Sequence, residues 1–160
     1  MEAASERPPY GAYAAILGTF TAGLAAAGVV SRALDRDPQC QTPLDLVVLA
    51  AATFKAARTL SRDQITSPLR QPFVRGDAYK GEDEEPVPTG GFEQAIGELV
   101  TCTRCVGTWA AAGLATTQLV APRFGRLLTW SLGAAAANDF LQAGFAALTA
   151  KTNEVEERTG

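Results

Sequence analysis

Apolar residues are gathered into four stretches, separated by short polar turns and by one long polar segment. The first stretch, residues 10–30, is 21 residues long and carries no charge. At about 1.5 Å per residue, a helix of that length crosses the roughly 30 Å hydrocarbon core of a bilayer. Three further runs lie at 44–60, 102–121 and 127–148. The pattern therefore predicts an all-α fold, an integral membrane bundle of four transmembrane helices.

The predicted bundle occupies residues 10–150, between a short N-terminus (1–9) and a polar C-terminal tail (151–160). A cleaved signal peptide is the alternative interpretation of the first run. We favour a retained helix, because the run exceeds the 7–15 apolar residues usual in a signal peptide. The positive charge of Arg7 is also offset by two nearby glutamates.

The second run is the weakest of the four, because Lys55 and Arg58 lie near its end. It can span a bilayer only if these two long basic side chains extend to the membrane surface.

Two features favour close contacts between the predicted helices. The short polar turn at 122–126 predicts that the last two runs form an antiparallel hairpin. Gly18, Gly107 and Gly133 are each followed by alanine four residues later, a spacing that lets helices approach closely in lipid.

The long polar segment between the second and third runs, residues 61–98, divides into three parts. The first part is basic and is interrupted by Pro68 and Pro72, which end helices or enforce an extended path. Residues 76–91 are acidic, contain several Pro and Gly, and predict a solvated linker. Residues 92–100 have the apolar spacing of an amphipathic helix, which we expect to lie along the membrane surface before the third crossing.

Basic residues are distributed unequally between the two ends of such a bundle. Four crossings place both termini and the long segment on one side, together with ten basic residues: Arg7, Lys55, Arg58, Arg62, Arg70, Arg75, Lys80, Arg104, Lys151 and Arg158. The other side carries four: Arg32, Arg36, Arg123 and Arg126. Because basic loops stay in the cytoplasm, the count predicts a multi-pass protein of the bacterial cell membrane with cytoplasmic N- and C-termini.

The composition limits the chemistry that the chain can perform. The 160 residues include no histidine and three cysteines, and the net charge is −3. The commonest metal ligand and general base is therefore missing, and three cysteines are too few for a four-cysteine zinc site. A negative net charge argues against nucleic acid as a partner. We predict no cofactor, no metal and no catalytic set; the expected partners are membrane lipid and another membrane protein or a second copy.

The basic segment is a candidate site for an anion. On a helix, Lys55, Arg58 and Arg62 fall at i, i+3 and i+7 and share one face. The candidates for binding an anionic lipid headgroup or an acidic partner segment are Arg58, Arg62, Asp63, Arg70 and Arg75. The alternative is that basic residues simply gather at the cytoplasmic end of a crossing, which we favour for Lys55 and Arg58.

Two stretches of the chain carry a family resemblance: Thr59–Phe73 (TLSRDQITSPLRQPF) and Gly97–Trp109 (GELVTCTRCVGTW). A polar Arg/Asp/Thr/Pro/Arg segment, then Gly-Glu-Leu and a CxxC that opens a membrane helix with Trp, resembles the bacterial family filed as domain of unknown function 1360. The resemblance covers roughly residues 44–119 and implies a multi-pass membrane protein of no established activity. Thr103 and Arg104 depart from the family pattern, in which proline and an aromatic residue often lie between the cysteines.

Cys102 and Cys105 are the candidate reactive groups. On one continuous helix, four residues share a face: Glu98, Cys102, Cys105 and Trp109. A helix start and the neighbouring Arg104 favour a thiolate, so the pair is a candidate for reversible dithiol chemistry or acylation. We favour the simpler alternative, two reduced cysteines that pack helix against helix. A metal site would need a second chain to complete it. Cys40 lies on the opposite side of the predicted bundle and is not expected to pair with them.

Asn138, Asp139 and Gln142 lie at or near the midpoint of the fourth run. A charged residue there costs about 2.5–3.5 kcal/mol on insertion scales, so it should face protein or water. One hypothesis is an ion or proton path. The other, which we favour, is that Asp139 holds the bundle together through hydrogen bonds to Thr53, Thr116, Thr117 or Gln118.

Three classes of function follow from these residues. The first, which we favour, is an accessory membrane protein whose Arg/Pro segment and CxxC-bearing helix bind a partner protein or anionic lipid. The second is a membrane thiol-redox or lipid-modifying enzyme that uses Cys102 and Cys105. The third is an ion or proton transporter that uses Asp139. The sequence contains no visible nucleophile–base pair and no phosphate-binding glycine loop, and we find no clear internal repeat of the kind common in transporters.

Overall fold

The structure, a computed structural model, describes residues 8–36, 42–77 and 82–159. The described chain is predominantly α-helical, as the sequence predicts, with one two-stranded antiparallel hairpin of β1 (Val74–Arg75) and β2 (Glu85–Pro86). The helices are α1 (Tyr10–Ala33), α2 (Pro43–Arg62), α3 (Ser67–Arg70), α4 (Phe92–Thr101), α5 (Thr103–Val120) and α6 (Pro122–Thr159). Single 3₁₀ turns at Gln64–Thr66 and Gln71–Phe73 flank α3.

Only α1, among the described helices, is both long and apolar enough to cross a membrane by length and composition. The predicted crossings at 44–60, 102–121 and 127–148 correspond to α2, α5 and α6, which do not meet that criterion. Charged and amide side chains make the difference, since α1 is just as rich in alanine and glycine; they are Asp45, Lys55 and Arg58 in α2, Arg104 and Gln118 in α5, and Asn138, Asp139 and Gln142 in α6. Helix composition therefore does not support the prediction of four crossings.

Helix α2 is the centre of the molecule and packs against α5 and α6. It begins with a reciprocal cap, in which the Thr42 hydroxyl accepts a hydrogen bond from the Asp45 backbone N–H while the Asp45 carboxylate accepts one from the Thr42 N–H. Pro43 follows at the first helical position, where its missing N–H costs nothing. The buried face of α2 is built from small residues, including Ala52 and Ala57.

Glycines of α5 and α6 admit close contact with neighbouring helices. A Cβ atom added to Gly133 would lie 3.1 Å from Cγ1 of Val48 in α2, and one added to Gly125 would lie 2.5 Å from the backbone nitrogen of Gln118. Gly107 makes an ordinary contact, 3.7 Å, with Ala57. Gly18 in α1 has nothing nearby, so the small-residue spacing marks a close contact at Gly133 but not at Gly18.

The four long helices alternate in direction. The ends of α2 and α5 meet through a 2.8 Å hydrogen bond between the hydroxyls of Ser61 and Thr103, so these two helices are antiparallel. Helix α6 runs parallel to α2, since its Gly133 lies beside Val48 and its Asp139 lies beside Lys55. Helix α1 runs parallel to α5. The start of α1, the end of α2, α4 and the C-terminal half of α6 therefore lie toward one end of the bundle.

Two predicted boundaries are wrong at α6. The polar turn at 122–126 is helical, and the reversal between α5 and α6 occurs at Ala121 alone. The predicted separate tail, 151–160, is helical as far as Thr159. No glycine or proline interrupts residues 145–159, and Arg158 makes an i,i+4 ion pair with Glu154, so the helix has no reason to stop.

Candidate functional site

The junction between α4 and α5 is the most chemically distinctive part of the fold. The amphipathic helix predicted at 92–100 is present as α4, and it rests on the β-hairpin. Gly97 makes this contact possible, because a Cβ atom there would collide with the carbonyl oxygen of Phe73 and with Pro86. The close approach fixes α4 over the hairpin, and the C-terminus of α4 then lies next to the start of α5.

Cys102 breaks the chain into two helices. It has φ −90° and ψ 99°, outside the helical region, and α5 begins at the next residue. Its sulfur accepts a hydrogen bond of 3.2 Å from the backbone N–H of Cys105 and thereby caps α5. The break agrees with the predicted separation of the amphipathic helix from the third run, and it means that Glu98 and Trp109 lie on two helices, because the N-terminus of α5 takes Cys102 as its capping residue.

Cys102 and Cys105 are joined in a disulfide, with their Cα atoms 5.2 Å apart. The expectation of two reduced cysteines that only pack between helices is wrong for this structure. Cys105 is exposed and Cys102 is half-buried, so Cys105 is the more accessible residue of the bond. Cys40, the third cysteine, lies outside the described residues.

A cavity of about 340 Å³ opens beside the disulfide, between α1, α4 and α5. Glu98, Cys105 and Trp109 all line it, so three of the four residues predicted to share a face do meet there. The rest of its lining is mostly apolar and includes Leu17 and Phe20 of α1. The ring of Phe20 packs edge-on against Trp109, with centroids 5.0 Å apart.

The Glu98 carboxylate has two hydrogen-bond donors at the edge of this cavity. One oxygen accepts from the Tyr13 hydroxyl of α1, and the other accepts from the Gln94 side-chain amide at 2.9 Å. Sequence reasoning missed both partners. Gln94 lies one helical turn before Glu98, a spacing that predicts a contact, whereas nothing in the sequence links Glu98 to Tyr13, 85 positions away.

Arg70 is a structural residue. Its exposed fraction is 1%, and its guanidinium makes a 2.6 Å ion pair with Glu84. The same group donates to the carbonyl oxygens of Leu60 and Asp63 and to the Thr66 hydroxyl. Arg70 therefore satisfies carbonyls at the end of α2, and its assignment as a candidate anion-binding residue is wrong.

Part of the predicted solvated linker, 76–91, is ordered around Glu84. Besides Arg70, this carboxylate accepts a hydrogen bond of 3.1 Å from the Ser67 hydroxyl. The neighbouring residue, Glu85, begins β2, which pairs with β1. The ion pair with the buried Arg70 explains why part of so acidic a segment folds back onto the bundle.

The other basic candidates do not form one positive cluster. Arg58 and Asp63 line a cavity of about 370 Å³ with the Lys55–Asp139 pair, whereas Arg62 lines a cavity of about 220 Å³ with Glu82, Asp83 and Glu84. Arg75 lies opposite Glu85 in the hairpin. Residues 55–101 contain six basic and eight acidic residues in the sequence, so each exposed arginine has acidic neighbours.

Asp139 is held by Lys55. The two side chains form an ion pair of 2.7 Å between α6 and α2, beside the stacked rings of Phe54 and Phe140, whose centroids are 5.4 Å apart. The predicted role of Asp139 in joining helices agrees with this contact, but its predicted hydroxyl and amide partners are wrong. Gln118 instead donates to the Thr129 hydroxyl at 2.9 Å.

Asn138 and Gln142 are exposed on α6, on a face that α2 and α5 do not cover. In the described ranges, no group of three or more His, Cys, Asp or Glu side chains is placed to hold a metal ion.

Comparison with known proteins gives the family. A family model described as "Protein of unknown function (DUF1360)" matches residues 48–145. The chain belongs to the DUF1360 family. A relative in Bacillus subtilis (strain 168), "Sporulation protein YjcA", is 35% identical over 85 residues, which cover 50% of this chain and 72% of that protein. The resemblance drawn from the two sequence motifs is thus confirmed, and no solved structure matches the chain.

The family match includes the Arg70–Glu84 ion pair, the Lys55–Asp139 ion pair and the disulfide. It excludes α1, so one wall of the cavity beside Cys105, with Tyr13 in it, lies outside the matched region.

Proposed function

We propose that this DUF1360 protein crosses the cell membrane four times, through α1, α2, α5 and α6, with the end that bears the disulfide in the cytoplasm. The alternating direction of the helices supports this arrangement, as does the excess of basic residues at one end. Large apolar side chains on the outer faces also support it: Leu46 is 63% exposed, Val47 64% and Leu141 73%. Such faces suit lipid better than water.

We propose further that the protein exchanges thiols and disulfides with a partner protein through Cys102 and Cys105. The observation that carries this proposal is the position of the disulfide at the N-terminus of α5, with Cys105 the more exposed of its two residues. A disulfide on the cytoplasmic side is not maintained as a permanent crosslink, so a pair that closes there turns over.

The geometry assigns different roles to the two sulfurs. A partner thiolate attacks the sulfur of the more exposed Cys105 and forms a mixed disulfide, while the electron pair of the broken bond passes to the sulfur of Cys102. That leaving thiolate accepts a hydrogen bond from the backbone N–H of Cys105 and lies at the positive end of the α5 dipole, and both interactions stabilise its negative charge. A better-stabilised thiolate leaves faster.

The exchange is completed by a second thiolate of the same partner. It attacks the partner's own sulfur in the mixed disulfide, which forms a disulfide in the partner and releases the Cys105 thiolate. The two thiolates take up protons from solvent. In balance, this protein's disulfide becomes a dithiol and the partner's dithiol becomes a disulfide; the reverse reaction follows the same path.

The test is to trap the mixed disulfide in cells. In the full-length Cys102→Ser variant, Cys105 lacks its resolving thiol, so we expect reductant-sensitive adducts on non-reducing gels after acid quenching. The matched Cys105→Ser variant retains, of this pair, only the half-buried Cys102 and should give fewer adducts than Cys102→Ser, while Cys40 is common to both variants. Equal adducts from both variants, or none from either, would refute the assignment of roles.

A second candidate function, an accessory protein that binds a partner, is supported by the ordered surface around Arg70 and Glu84. Because residues 55–101 carry more acid than base, a protein segment with both charges fits this surface better than an anionic lipid headgroup. We expect Arg58→Glu with Arg62→Glu to reduce the set of proteins that co-purify in mild detergent, without loss of phospholipid. Loss of anionic lipid alone would contradict this choice of partner.

We do not propose an ion or proton path at Asp139. Its carboxylate is engaged with the Lys55 ammonium, which leaves no separate charged site for an ion to occupy.

A further inference from the structure

Helix α6 carries a continuous exposed stripe on the face turned away from the bundle. We call it the α6 seam and define it by six exposed residues: Ser131, Ala134, Asn138, Leu141, Phe145 and Leu148. Thr129, Gly133 and Ala136 point the opposite way and are buried in the bundle. One face of α6 therefore packs inside the monomer, and the rest of the monomer does not cover the α6 seam.

The spacing of the α6 seam is that of a coiled coil. Its members follow one another at intervals of three, four, three, four and three residues, the alternation of three and four that defines a heptad repeat. A stripe with that repeat stays in contact with a second helix when the two supercoil with left-handed twist. The small residues Ser131 and Ala134 allow close approach at one end, and the larger Phe145 and Leu148 provide packing at the other.

Asn138 identifies the occupant of this surface. It lies in the middle of the run proposed to cross the membrane, and its side-chain amide has no hydrogen-bond partner in the part of the chain that the structure describes. An amide directed at hydrocarbon without a partner is costly, so a protein group must satisfy it. A second copy inserted with the same topology supplies one, because in parallel register each Asn138 amide faces the same amide of the other chain.

We propose that the protein forms a parallel homodimer along the α6 seam, with the two Asn138 side chains hydrogen-bonded to each other at its centre. This inference rests on the proposed crossing of the membrane by α6. Two copies inserted with the same topology present α6 in the same direction, which favours a parallel arrangement. Asn at a single core position is also the device by which coiled coils fix register and the number of strands.

The test measures association of the full-length protein in phosphatidylcholine and phosphatidylglycerol vesicles. Two populations with different fluorescent proteins fused at the C-terminus are mixed, and energy transfer is followed as protein is diluted into lipid. We expect transfer that saturates as a dimer, and an apparent dissociation constant about 3- to 30-fold higher for Asn138→Leu, from the measured range for hydrogen bonds between membrane helices. Ala147→Leu, also exposed but on the opposite face of α6, should leave the constant unchanged.

A second substitution keeps the test decisive if Asn138→Leu misfolds. Ala134→Phe adds bulk to the α6 seam without touching the buried face and should also weaken transfer. Wild-type protein that stays monomeric at high density, or a dimer that neither substitution weakens, would overturn the proposal. Extraction of the protein from membranes by alkaline carbonate would instead show that the proposed crossings fail, which distinguishes the two failures.

Discussion

The buried ion pair between Arg70 and Glu84 gives the sharpest quantitative prediction. Its side chains are 2% and 10% exposed, and Arg70 also donates to carbonyl oxygens at the end of α2. Removing one member of a buried pair costs roughly 3–5 kcal/mol, because the other charge stays buried alone. Arg70→Ala leaves Glu84 with only the Ser67 hydroxyl, and so we expect the full cost, about 3 kcal/mol or more.

The cost should appear as local opening of the hairpin and α4. A change of about 3 kcal/mol corresponds to roughly a hundredfold rise in the population of the open state. Hydrogen exchange of the protein in lipid nanodiscs, read over peptides that cover 84–101, measures this directly. Arg62→Ala is the matched control, since it removes an exposed arginine eight residues away and should change stability by less than about 0.5 kcal/mol.

A double substitution separates the charge from the packing. Arg70→Met with Glu84→Leu removes both charges and keeps apolar volume, and buried pairs replaced in this way often lose little stability. We therefore expect exchange in the double variant to be slower than in Arg70→Ala. If Arg70→Ala exchanges within threefold of Arg62→Ala, the ion pair does not hold the hairpin, and our account of the ordered acidic segment is wrong.

Three further predictions follow from other contacts. Asp139→Leu should loosen α6 from α2 by about 0.6–2 kcal/mol, measured by unfolding in detergent, and adding Lys55→Met should recover part of the loss because no unpaired charge remains. Gly97→Ala should cost about 1–3 kcal/mol, because its Cβ meets the Phe73 carbonyl, whereas Gly113→Ala in open space should be neutral or stabilising in the same assay. Reporter fusions at the C-terminus should be cytoplasmic and one at Arg123 should be external; an external C-terminus would contradict the proposed topology.

The sequence predicted the helices well because their signals are local. The long apolar runs and the spacing of Phe92, Ile96 and Leu99 lie within single helices, and the structure places α1, α2, α4, α5 and α6 on them. The acidic segment was misjudged because its order depends on a contact between Arg70 and Glu84, 14 positions apart. Composition alone predicts a solvated linker for such a segment, because it does not show which distant residue pairs with Glu84.

The sequence predicted the residues of the candidate site better than it predicted their geometry. Cys105, Glu98 and Trp109 do meet, yet they lie on two helices, because the break at Cys102 falls within the stretch over which the helical spacing was counted. The CxxC spacing could have predicted the cap, since the first cysteine of that motif often precedes a helix. The sulfur of that first cysteine then caps the helix, and the second cysteine lies in its first turn. The contact between Tyr13 and Glu98 could not be predicted, because no local pattern in α1 indicates which helix covers Glu98.

The contacts of Arg70 have a consequence for where the chain can change length. Arg70 binds both the carbonyl of Leu60, at the end of α2, and Glu84, which precedes α4. The two ends of the segment between α2 and α4 are therefore held close together. Residues added between Gly76 and Asp83 lengthen a loop whose two ends are already fixed, and doubling such a loop costs only about 0.6 kcal/mol. Insertions of an epitope or a binding domain between Asp77 and Glu82 should therefore leave α4 and the disulfide in place.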